Sequence, residues 1–535
     1  MSRRTALLRG GVLAVVAFAA FVPSLWAGFI ADDFTLFHTV HHYAGLDWAF
    51  SRNDAGEAGA AGHFYRPLWV IWNAGLFNLF HDSKVALHAA SLALFAVIAL
   101  EVWALSRRLI GPEAAWVAGC AFALYPRHGE SVAWISGNTD LTGIAFALAS
   151  LLCLLARWPL WVRVSSSAAL AAAAALSKEV AFVLPVLALA ILFVRPVDNA
   201  ATTRRLRVAA PVAMAVVLAG VLAARVVVIG GVGGYSDYSW KPLRALGVAG
   251  SYVLAAFSPP QLELTREPLF AIVPTLALAL VCWRVWVLHR HGERERLRIV
   301  LLGAIWFVVA LLPTLNLAVD LNNANGERLL FLSSVGLALA FAALVDWRRT
   351  WLLGAAGLVA FGLCLSSAQS WLVGGEIADR MIHESLALAP KGSELILLTE
   401  PEAYRNAHVY TGGSMDPAAA YFGRSDLRTG FCLPMDVRFQ RSGQVQLAQR
   451  SDATWDARTT ENAPFDFPVF RSPGPLGPEC GYDRGSGSDW RLGLGLHGRA
   501  LPHPTLRRPV EYAYFDGRDV VAVQLGGAPA SGANP

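Results

Sequence analysis

Two adjacent carboxylates, Asp32 and Asp33, follow directly after the first membrane-length apolar run. Ionisable groups are costly to place near a bilayer, and those found there mark candidate functional sites. Phe34 and a polar loop come next, so the acidic pair has the position of a reaction site at the membrane surface. A carboxylate held close to a hydroxyl can act as a general base. The alternative is that the two aspartates only end a helix.

Cationic side chains recur in three other short segments. Arg66 lies between Tyr65 and Pro67, Lys178 between two apolar runs, and Arg328 at the start of another run. Guanidinium groups bind phosphate bidentately, and converging cations stabilise the charge of a departing phosphate. These three side chains are therefore candidate phosphate ligands. Arg66 could instead anchor a helix by snorkelling, and an internal Glu–Arg pair at Glu327 and Arg328 could simply close the helix bundle.

The segment 125–141 places several further polar groups between two apolar runs. Such a density of polar groups near a membrane needs partners. Glu130 and Asp140 are each a candidate base, metal ligand or ion-pair partner of Arg127, and their spacing does not decide among these roles. The supporting residues of the site are taken to be His128, Glu130, Asp140, Glu179 and Glu327.

The case for a metal or a nucleotide is weaker. His38 and His42 have helical spacing, but a metal site needs more convergent ligands, so an interfacial amphipathic helix is favoured. The glycine-rich stretch 230–234 does not join a strand to a helix and receives no nucleotide role. We expect no required cofactor, with a divalent metal as the less favoured alternative.

Composition predicts a polytopic α-helical membrane protein. The chain has 535 residues, of which 16% are charged, and a mean hydropathy of +0.46. The formal charge of +5 is concentrated in short loops, which indicates topology and not nucleic-acid binding. About 20 apolar residues cross a bilayer. About eleven spanning helices are predicted: 7–29, 84–105, 113–125, 139–156, 160–176, 179–195, 208–229, 269–289, 299–318, 328–345 and 351–369.

Arginine-rich loops set the predicted orientation. They belong on the cytoplasmic side, together with the N-terminus, and the first helix reads as uncleaved. If the short run 245–258 is interfacial or re-entrant, the acidic pair and all three candidate phosphate ligands fall on the outer side. Shared sidedness of so many polar segments favours a single extracytoplasmic site.

The chain changes character after residue 369. Residues 1–369 form the predicted membrane domain, and 370–535 form a polar, Gly- and Pro-rich domain on the outer side, α/β or mixed. Strands are predicted at 394–399 and 519–525. Cys432 and Cys480 lie in this domain, where an oxidising compartment would permit a disulfide between them.

These motifs together resemble the multispanning glycosyltransferases of the GT-C fold, in particular the protein O-mannosyltransferase-like and TMTC-like branch. The resemblance covers about 370 residues. The chain lacks the tetratricopeptide repeats of eukaryotic TMTC proteins, and 137–140 lacks the arginine usual between the glycine and the aspartate. The matching pieces are Asp32-Asp33-Phe34, Tyr65-Arg66-Pro67-Leu68, Pro126 with His128, Glu130, Val132, Gly137, Asp140 and Leu141, Ser177-Lys178-Glu179, and Glu327-Arg328-Leu329 with Gly336.

The resemblance implies a polyprenyl-phosphate-linked sugar as donor and an extracytoplasmic protein, lipid or glycan as acceptor. Asp33 or Asp32 would be the catalytic base, and Lys178 and Arg328 would hold the phosphate, with Arg66 as an additional ligand. Two other hypotheses stay open: a transporter or flippase for a lipid-linked glycan, and a non-catalytic membrane scaffold. The Ala, Gly and Arg bias favours a GC-rich bacterium and its inner membrane.

Overall fold

The protein is described by a computed structural model. Its described residues are 2–30, 32–43, 45–54, 64–197, 199–234, 242–262, 269–315, 317, 319, 321, 326–346, 348–410, 415–451, 454–459, 463–464, 480–484, 489–494 and 510–523. His63 and the loop 235–240 lie outside these residues.

Helices make up the chain up to residue 388. Most begin next to a polar residue, glycine or proline, as expected from helix-capping preferences. In order they are α1 Arg3–Ala20, α2 Asp33–His42, α3 Trp48–Ser51, α4 Pro67–Phe80, α5 Lys84–Ile110, α6 Pro112–Ala123, α7 Gly129–Ala133, α8 Thr139–Leu154, α9 Leu160–Ala175, α10 Leu184–Val194, α11 Ala200–Ile229, α12 Pro242–Phe257, α13 Leu269–Arg290, α14 Arg294–Leu311, α15 Phe331–Leu344 and α16 Thr350–Leu388.

Within the described residues, seven helical segments are long and apolar enough to cross a bilayer. They coincide with seven of the predicted spans and confirm the predicted fold class of a helical, polytopic membrane protein. The segments are Lys84–Ile110, Ser136–Leu154, Ala200–Ile229, Ala271–Arg290, Arg294–Thr314, Glu327–Leu344 and Thr350–Leu388.

The other four predicted spans correspond to α1, α6, α9 and α10. Helix α1 has 18 residues but carries Arg3, Arg4 and Arg9, and the other three helices are shorter. At 1.5 Å per residue, the 12 residues of α6 extend about 18 Å, well short of a hydrocarbon core of about 30 Å. Short 3₁₀ turns follow α6 and precede α8, α10 and α15. The chain therefore leaves regular helix at these points, and polar side chains gather on the turns Pro126–His128, Ser136–Asn138, Glu179–Val183 and Glu327–Leu330.

Arginines at the opposite helix ends bind backbone carbonyls. Arg163 Nε donates to the carbonyl of Leu154 at 2.9 Å, at the end of α8. Arg207 Nη2 donates to Leu192 O at 3.0 Å, near the end of α10. Arg284 Nε donates to Leu344 O at 2.9 Å, at the end of α15. The last carbonyls of a helix lack partners within it, so these guanidinium groups cap the helices and complement their dipoles.

Helices α14 and α15 cross with their backbones in contact. A Cβ atom on Gly303 would lie 2.5 Å from the Gly336 carbonyl oxygen, and one on Gly336 would lie equally close to Gly303 O. Trp306 Nε1, one turn further along α14, donates to Leu332 O at 2.9 Å. The pair of glycines thus sets the closest approach of these two helices.

Strands dominate the described residues after 388, which confirms the predicted mixed C-terminal region. One sheet has the order β10-β9-β1-β3-β6 with β2 paired to β1, and the other the order β4-β5-β8-β7. Strand β1 runs parallel to β3 and β9. The strands are β1 Glu394–Tyr404, β2 Ala407–His408, β3 Arg428–Val437, β4 Val445–Ser451, β5 Thr454–Thr459, β6 Ala463–Pro464, β7 Cys480–Arg484, β8 Asp489–Leu494, β9 Val510–Phe515 and β10 Val520–Ala522.

Both strands predicted from the sequence, at 394–399 and 519–525, are present as β1 and β10. Helix α17, Met415–Tyr421, lies before β3. Cys432 is buried and disulfide-bonded. The side chain of Cys480 lies outside the described residues, so its pairing with Cys432 stays a prediction.

Close packing divides the chain into two units. The first, called the bundle unit, comprises 1–26 and 39–371; the second, called the outer unit, comprises 27–38 and 372–535. The division near residue 371 falls close to the predicted domain boundary at 369. The segment 27–38, which carries Asp32 and Asp33, packs with the outer unit although it lies near the start of the chain.

Candidate active site

Lys178 occupies the centre of an ion-pair cluster in the bundle unit. Its Nζ lies 3.2 Å from Asp140 Oδ2 and donates to Thr139 Oγ1 at 3.1 Å. Asp140 is in the first turn of α8, where the helix dipole favours a carboxylate. A Cβ atom on Gly143 would lie 2.6 Å from Lys178 Cβ, so glycine at that position lets the lysine backbone approach α8.

Arg66 lies at the N-terminus of α4, just before Pro67, which is favoured at the first helical position. Its guanidinium contacts Glu179 Oε2 at 2.9 Å and Asp54 Oδ2 at 3.4 Å. The group also lies 3.9 Å from the ring centroid of Phe64. Arg66 is therefore held on three sides and interacts electrostatically with both Lys178 and Asp140.

Arg328 reaches the same cluster from the turn before α15. Its Nε lies 3.5 Å from Glu130 Oε1, and its backbone N–H donates to Glu130 Oε2 at 2.8 Å. The guanidinium carbon lies 4.7 Å from the ring centroid of Trp134, a cation–π contact. Arg328 also interacts electrostatically with Lys178 and Asp140. All three candidate phosphate ligands thus converge.

Arg127 pairs with Glu327, which corrects one sequence interpretation. Arg127 Nη1 lies 2.7 Å from Glu327 Oε1, and Arg127 Nε donates to Ser258 O at 2.8 Å. The interpretation of Arg127 as partner of Glu130 or Asp140 is wrong, because those acids bind Arg328 and Lys178. The alternative of an internal Glu–Arg pair that closes the bundle fits Glu327, whose partner is Arg127.

His128 does not join the ion-pair cluster. Its Nε2 lies 2.9 Å from Ser334 Oγ. Its ring packs against aromatic rings at centroid distances of 4.6 Å for Phe122 and 4.5 Å for Phe331. The predicted supporting residue is therefore a buried packing residue that joins the turn after α6 to α15.

Arg225 is a member of the cluster that the sequence interpretation did not select. Its Nη1 lies 2.7 Å from Glu179 Oε1, opposite the contact that Glu179 makes with Arg66. Arg225 is a single arginine in the last turns of the long apolar helix α11. An isolated charge in a spanning helix is a signal that would have found it.

Formal charges in this network cancel. Among the described residues, five cations meet five carboxylates, which gives +5 − 5 = 0. Buried charges need such pairing because desolvation is expensive. The cations are Arg66, Arg127, Lys178, Arg225 and Arg328, and the carboxylates are Asp54, Glu130, Asp140, Glu179 and Glu327.

Exposure and pair length together distinguish the cations. The side chains of Arg127 and Arg225 are 1% and 5% exposed, and their shortest carboxylate contacts are 2.7 Å. Lys178 and Arg328 are 11% and 19% exposed, with contacts of 3.2 and 3.5 Å. Strong charge-assisted hydrogen bonds measure about 2.7–2.9 Å. Lys178 and Arg328 are therefore more exposed than Arg127 and Arg225 and lie farther from the carboxylates named here.

Asp32 and Asp33 belong to the outer unit. Asp33 begins α2 and is fully buried; its Oδ2 accepts a hydrogen bond from the backbone N–H of Ile30 at 3.1 Å. Asp32 is exposed. The two predicted catalytic acids thus differ: Asp33 closes its own turn, and Asp32 is presented at the surface of that turn.

One further acid of the outer unit is buried without a cation. Glu400 on β1 is 2% exposed, and among the described residues its Oε2 has no hydrogen-bond partner. Burial raises the pKa of this carboxyl to about 8. Glu400 also interacts electrostatically with the buried Tyr410. The sequence gives no signal for this group, because β1 reads as an ordinary apolar strand.

No group of His, Cys, Asp and Glu side chains that could hold a metal occurs among the residues described. His38 and His42 lie on α2, an amphipathic helix of ten residues.

A family model matches the part of the chain that carries most of this cluster. Residues 66–226 match the family described as dolichyl-phosphate-mannose-protein mannosyltransferase. The matched stretch contains Arg66, Glu130, Asp140, Lys178 and Arg225. The match confirms the predicted resemblance to the protein O-mannosyltransferase branch, and over these residues it supports the predicted class of a membrane glycosyltransferase.

Solved structures show similarities at low identity. The oligosaccharyltransferase of Archaeoglobus fulgidus, tethered to an acceptor peptide, is 12% identical with a TM-score of 0.41, covering 81% of this chain and 64% of that one. ArnT from Cupriavidus metallidurans in the apo state is 15% identical with a TM-score of 0.36, covering 81% and 86%. The chain thus spans less than two thirds of the archaeal enzyme. No curated protein sequence matches the chain.

Proposed function

We propose that the protein transfers a sugar, with mannose as first candidate, from a polyprenyl-phosphate carrier to an extracytoplasmic acceptor. The acceptor is a protein, a lipid or a glycan, and the anomeric carbon is inverted. One observation carries the proposal: Lys178 and Arg328, which have longer carboxylate contacts than Arg127 and Arg225, converge with Arg66, and Arg66 and Lys178 lie inside the segment that matches the mannosyltransferase family.

The leaving group explains why cations matter. The donor is a phosphodiester with one negative charge, and breaking the bond between the anomeric carbon and the phosphate oxygen leaves a monoester that takes the electron pair. Charge therefore grows on the phosphate in the transition state, where fixed cations act most strongly. Lys178 and Arg328 would contact that phosphate, and Arg66 would add to the local field.

The cluster is neutral before the lipid arrives, so phosphate binding must loosen existing pairs. The pairs of Lys178 with Asp140, at 3.2 Å, and of Arg328 with Glu130, at 3.5 Å, are longer than the pair of Arg127 with Glu327, at 2.7 Å, and their cations are more exposed than Arg127. These cations can turn toward a phosphate with the smallest loss. A tightly closed pair such as Arg127–Glu327 has no such freedom.

An aspartate of the segment 27–38 would supply the base. The acceptor hydroxyl gives its proton to Asp33 or Asp32, its oxygen attacks the anomeric carbon, and the polyprenyl phosphate departs on the opposite face. A carboxylate suits this role because deprotonation accompanies attack and needs only local geometry. No step in this scheme requires a metal. The location that fits the reaction is the bacterial inner membrane, with the cluster and the outer unit on the periplasmic side.

The experiment compares the wild-type protein with Asp33→Asn and Asp32→Asn in proteoliposomes that contain labelled polyprenyl-phosphate mannose. Loss of the base should lower transfer by about 10²–10⁴-fold. Asparagine keeps an oxygen that can accept the Ile30 hydrogen bond, so folding and insertion should hold. Mass spectrometry of envelope glycans and glycoproteins from cells with each allele identifies the acceptor. Full transfer by both variants would remove the base assignment, and movement of intact labelled lipid without sugar transfer would favour a flippase.

A second variant tests the phosphate ligands. Lys178→Met alone would leave the buried carboxylate of Asp140 without Lys178. A loss of transfer in that variant could then come from misfolding as well as from the missing phosphate ligand. The double variant Lys178→Met, Asp140→Asn removes both charges and should lower transfer by about 10²–10³-fold with a native elution profile. Arg298→Gln, at an exposed pair far along the sequence, is the matched control. Equal transfer by the double variant and the control would contradict the phosphate assignment.

A further inference from the structure

The segment with the two aspartates is packed on aromatic side chains of the outer unit. The ring of Tyr421 lies at centroid distances of 6.1 Å from Phe29, 5.7 Å from Phe34 and 6.0 Å from Phe37. Phe422 lies 6.1 Å from Phe34. Phe29, Phe34 and Phe37 are all buried. Aromatic residues on both sides of Asp32 and Asp33 are thus held by one pair of rings.

A backbone contact fixes the start of the same segment. A Cβ atom on Gly28 would lie 2.5 Å from the Gly375 carbonyl oxygen and 3.1 Å from Asp379 Oδ2. Two backbones meet here with no room for a side chain. The segment therefore has two attachment points within the outer unit: Gly375 before the aspartates, and Tyr421 with Phe422 around them.

The rings are themselves tied to the sheet. Tyr421 ends α17, and Asp416 in the first turn of that helix accepts hydrogen bonds from Thr429 at 2.6 Å from the backbone nitrogen and 2.7 Å from Oγ1. Thr429 lies on β3, which pairs with β1. A continuous path of contacts leads from the sheet through α17 to the aspartate turn.

We propose that Tyr421, supported by Phe422, is a positioning residue within the outer unit that sets the placement of Asp32 and Asp33. The inference rests on the proposed function, because the aspartates matter only if one of them is the base. It assigns a role to 372–535 in the chemical step, distinct from acceptor binding. Since a misplacement of about 1 Å can lower a rate about 10²-fold, loss of the ring should be felt strongly.

The test uses the full-length protein with Tyr421→Ala and Tyr421→Phe. Tyr421→Ala should lower kcat by about 10–100-fold while the KM for the lipid donor stays unchanged, because the cations are intact. Hydrogen exchange measured by mass spectrometry should become faster at the amides of 29–37. Tyr421→Phe keeps the ring and should restore both the kcat and the slow exchange.

A matched control separates positioning from general instability of the outer unit. Trp455 is buried in the sheet core and stacks near Tyr512, with ring centroids 5.5 Å apart. Trp455→Leu should lower the melting temperature yet leave kcat and exchange at 29–37 near wild type.

Each outcome identifies what fails. Unchanged exchange at 29–37 in Tyr421→Ala would overturn the positioning inference. Faster exchange with unchanged kcat would also overturn it, because the turn would be loosened without effect on the reaction. If Asp32→Asn and Asp33→Asn both retain transfer, the base assignment of the proposed function fails, whatever the exchange data for Tyr421→Ala are.

Discussion

The two ends of the helical bundle use arginine in opposite ways. At one end, Arg163, Arg207 and Arg284 donate to the last backbone carbonyls of α8, α10 and α15. At the other end, where the helices stop short and 3₁₀ turns follow, Arg66, Arg127, Arg225 and Arg328 meet carboxylates. A carbonyl carries no net charge, so these three contacts leave the positive charge of Arg163, Arg207 and Arg284 in place.

This difference indicates that the arginines of one end set the orientation in the membrane and those of the other end belong to the candidate site. Uncompensated arginine fits the side of a bilayer that attracts positive loops. Cations that are each paired with an acid produce little net field, but they can exchange an acid for a ligand phosphate. Only the acid-paired end therefore has both the fixed cations and the freedom to bind an anionic headgroup.

The largest expected effect comes from breaking the buried pair at the acid-paired end. Glu327→Gln leaves the fully buried Arg127 guanidinium without its counter-ion and should destabilise the protein by about 3–5 kcal/mol. The double variant Arg127→Leu, Glu327→Leu removes both charges and should lose much less. Thermal unfolding followed by fluorescence in detergent measures both. Equal losses in the single and double variants would show that the pair is not acting as a unit.

Glu400 tests what burial does to an acid that lacks a cation. Its pKa is raised to about 8 in the folded protein from an ordinary value of 4.5. The folded state therefore keeps the proton while the unfolded chain releases it, and stability falls as pH rises from about 4.5 to about 8. Between pH 5 and pH 7 the loss is about 3 kcal/mol. Glu400→Gln should remove this part of the pH dependence; identical pH profiles for the two proteins would contradict the prediction.

Removing a carbonyl-capping arginine should have a moderate effect. Arg163→Met leaves the Leu154 carbonyl without its charged donor and should destabilise the protein by about 2 kcal/mol. Arg298→Gln breaks only an exposed pair with Glu295 and should cost less than about 0.5 kcal/mol. Melting temperatures of each variant and of the wild-type protein, measured at low and high salt, distinguish the two. If the destabilisation caused by Arg163→Met depended strongly on salt, the capping role would be contradicted, because a buried contact is poorly screened.

The smallest expected effect concerns the shape of a cation at the site. Arg328→Lys keeps the charge but loses the planar contact with Trp134 and the forked donors. Sugar transfer should fall about 10-fold, equal to about 1.4 kcal/mol. The KM and kcat for the donor lipid provide the measurement, with Arg348→Lys, at a loop of the other end, as control. Unchanged kinetics would mean that Arg328 acts only as a point charge.

The sequence predicts the helices well because apolar runs of spanning length have few other uses. The ends are harder to predict: the last helix was expected to stop at 369, but α16 continues to Leu388, since helix geometry persists into polar residues. The short helices were also read as full spans. An apolar run does not reveal where a 3₁₀ turn interrupts it.

Membership of the site was predictable and the pairing was not. A charged residue next to an apolar run is recognisable by itself, so Arg66, Lys178 and Arg328 could be selected from the sequence. Which acid meets which cation depends on contacts between residues as far apart as Arg127 and Glu327, 200 positions along the chain. The grouping of 27–38 with the outer unit depends on packing after residue 372, which no local pattern records.

The glycine contact between α14 and α15 has a mechanical consequence. Gly336 lies about two turns after Arg328, and its backbone touches that of Gly303. Because the two helices are in backbone contact this close to the site, their angle has little freedom to change when a ligand binds. On the proposed function, a donor lipid would therefore adapt to this helix pair, and little reorganisation would remain for the moment of bond cleavage. A methyl group at residue 336 would force α14 and α15 apart and change the orientation of α15 at the site.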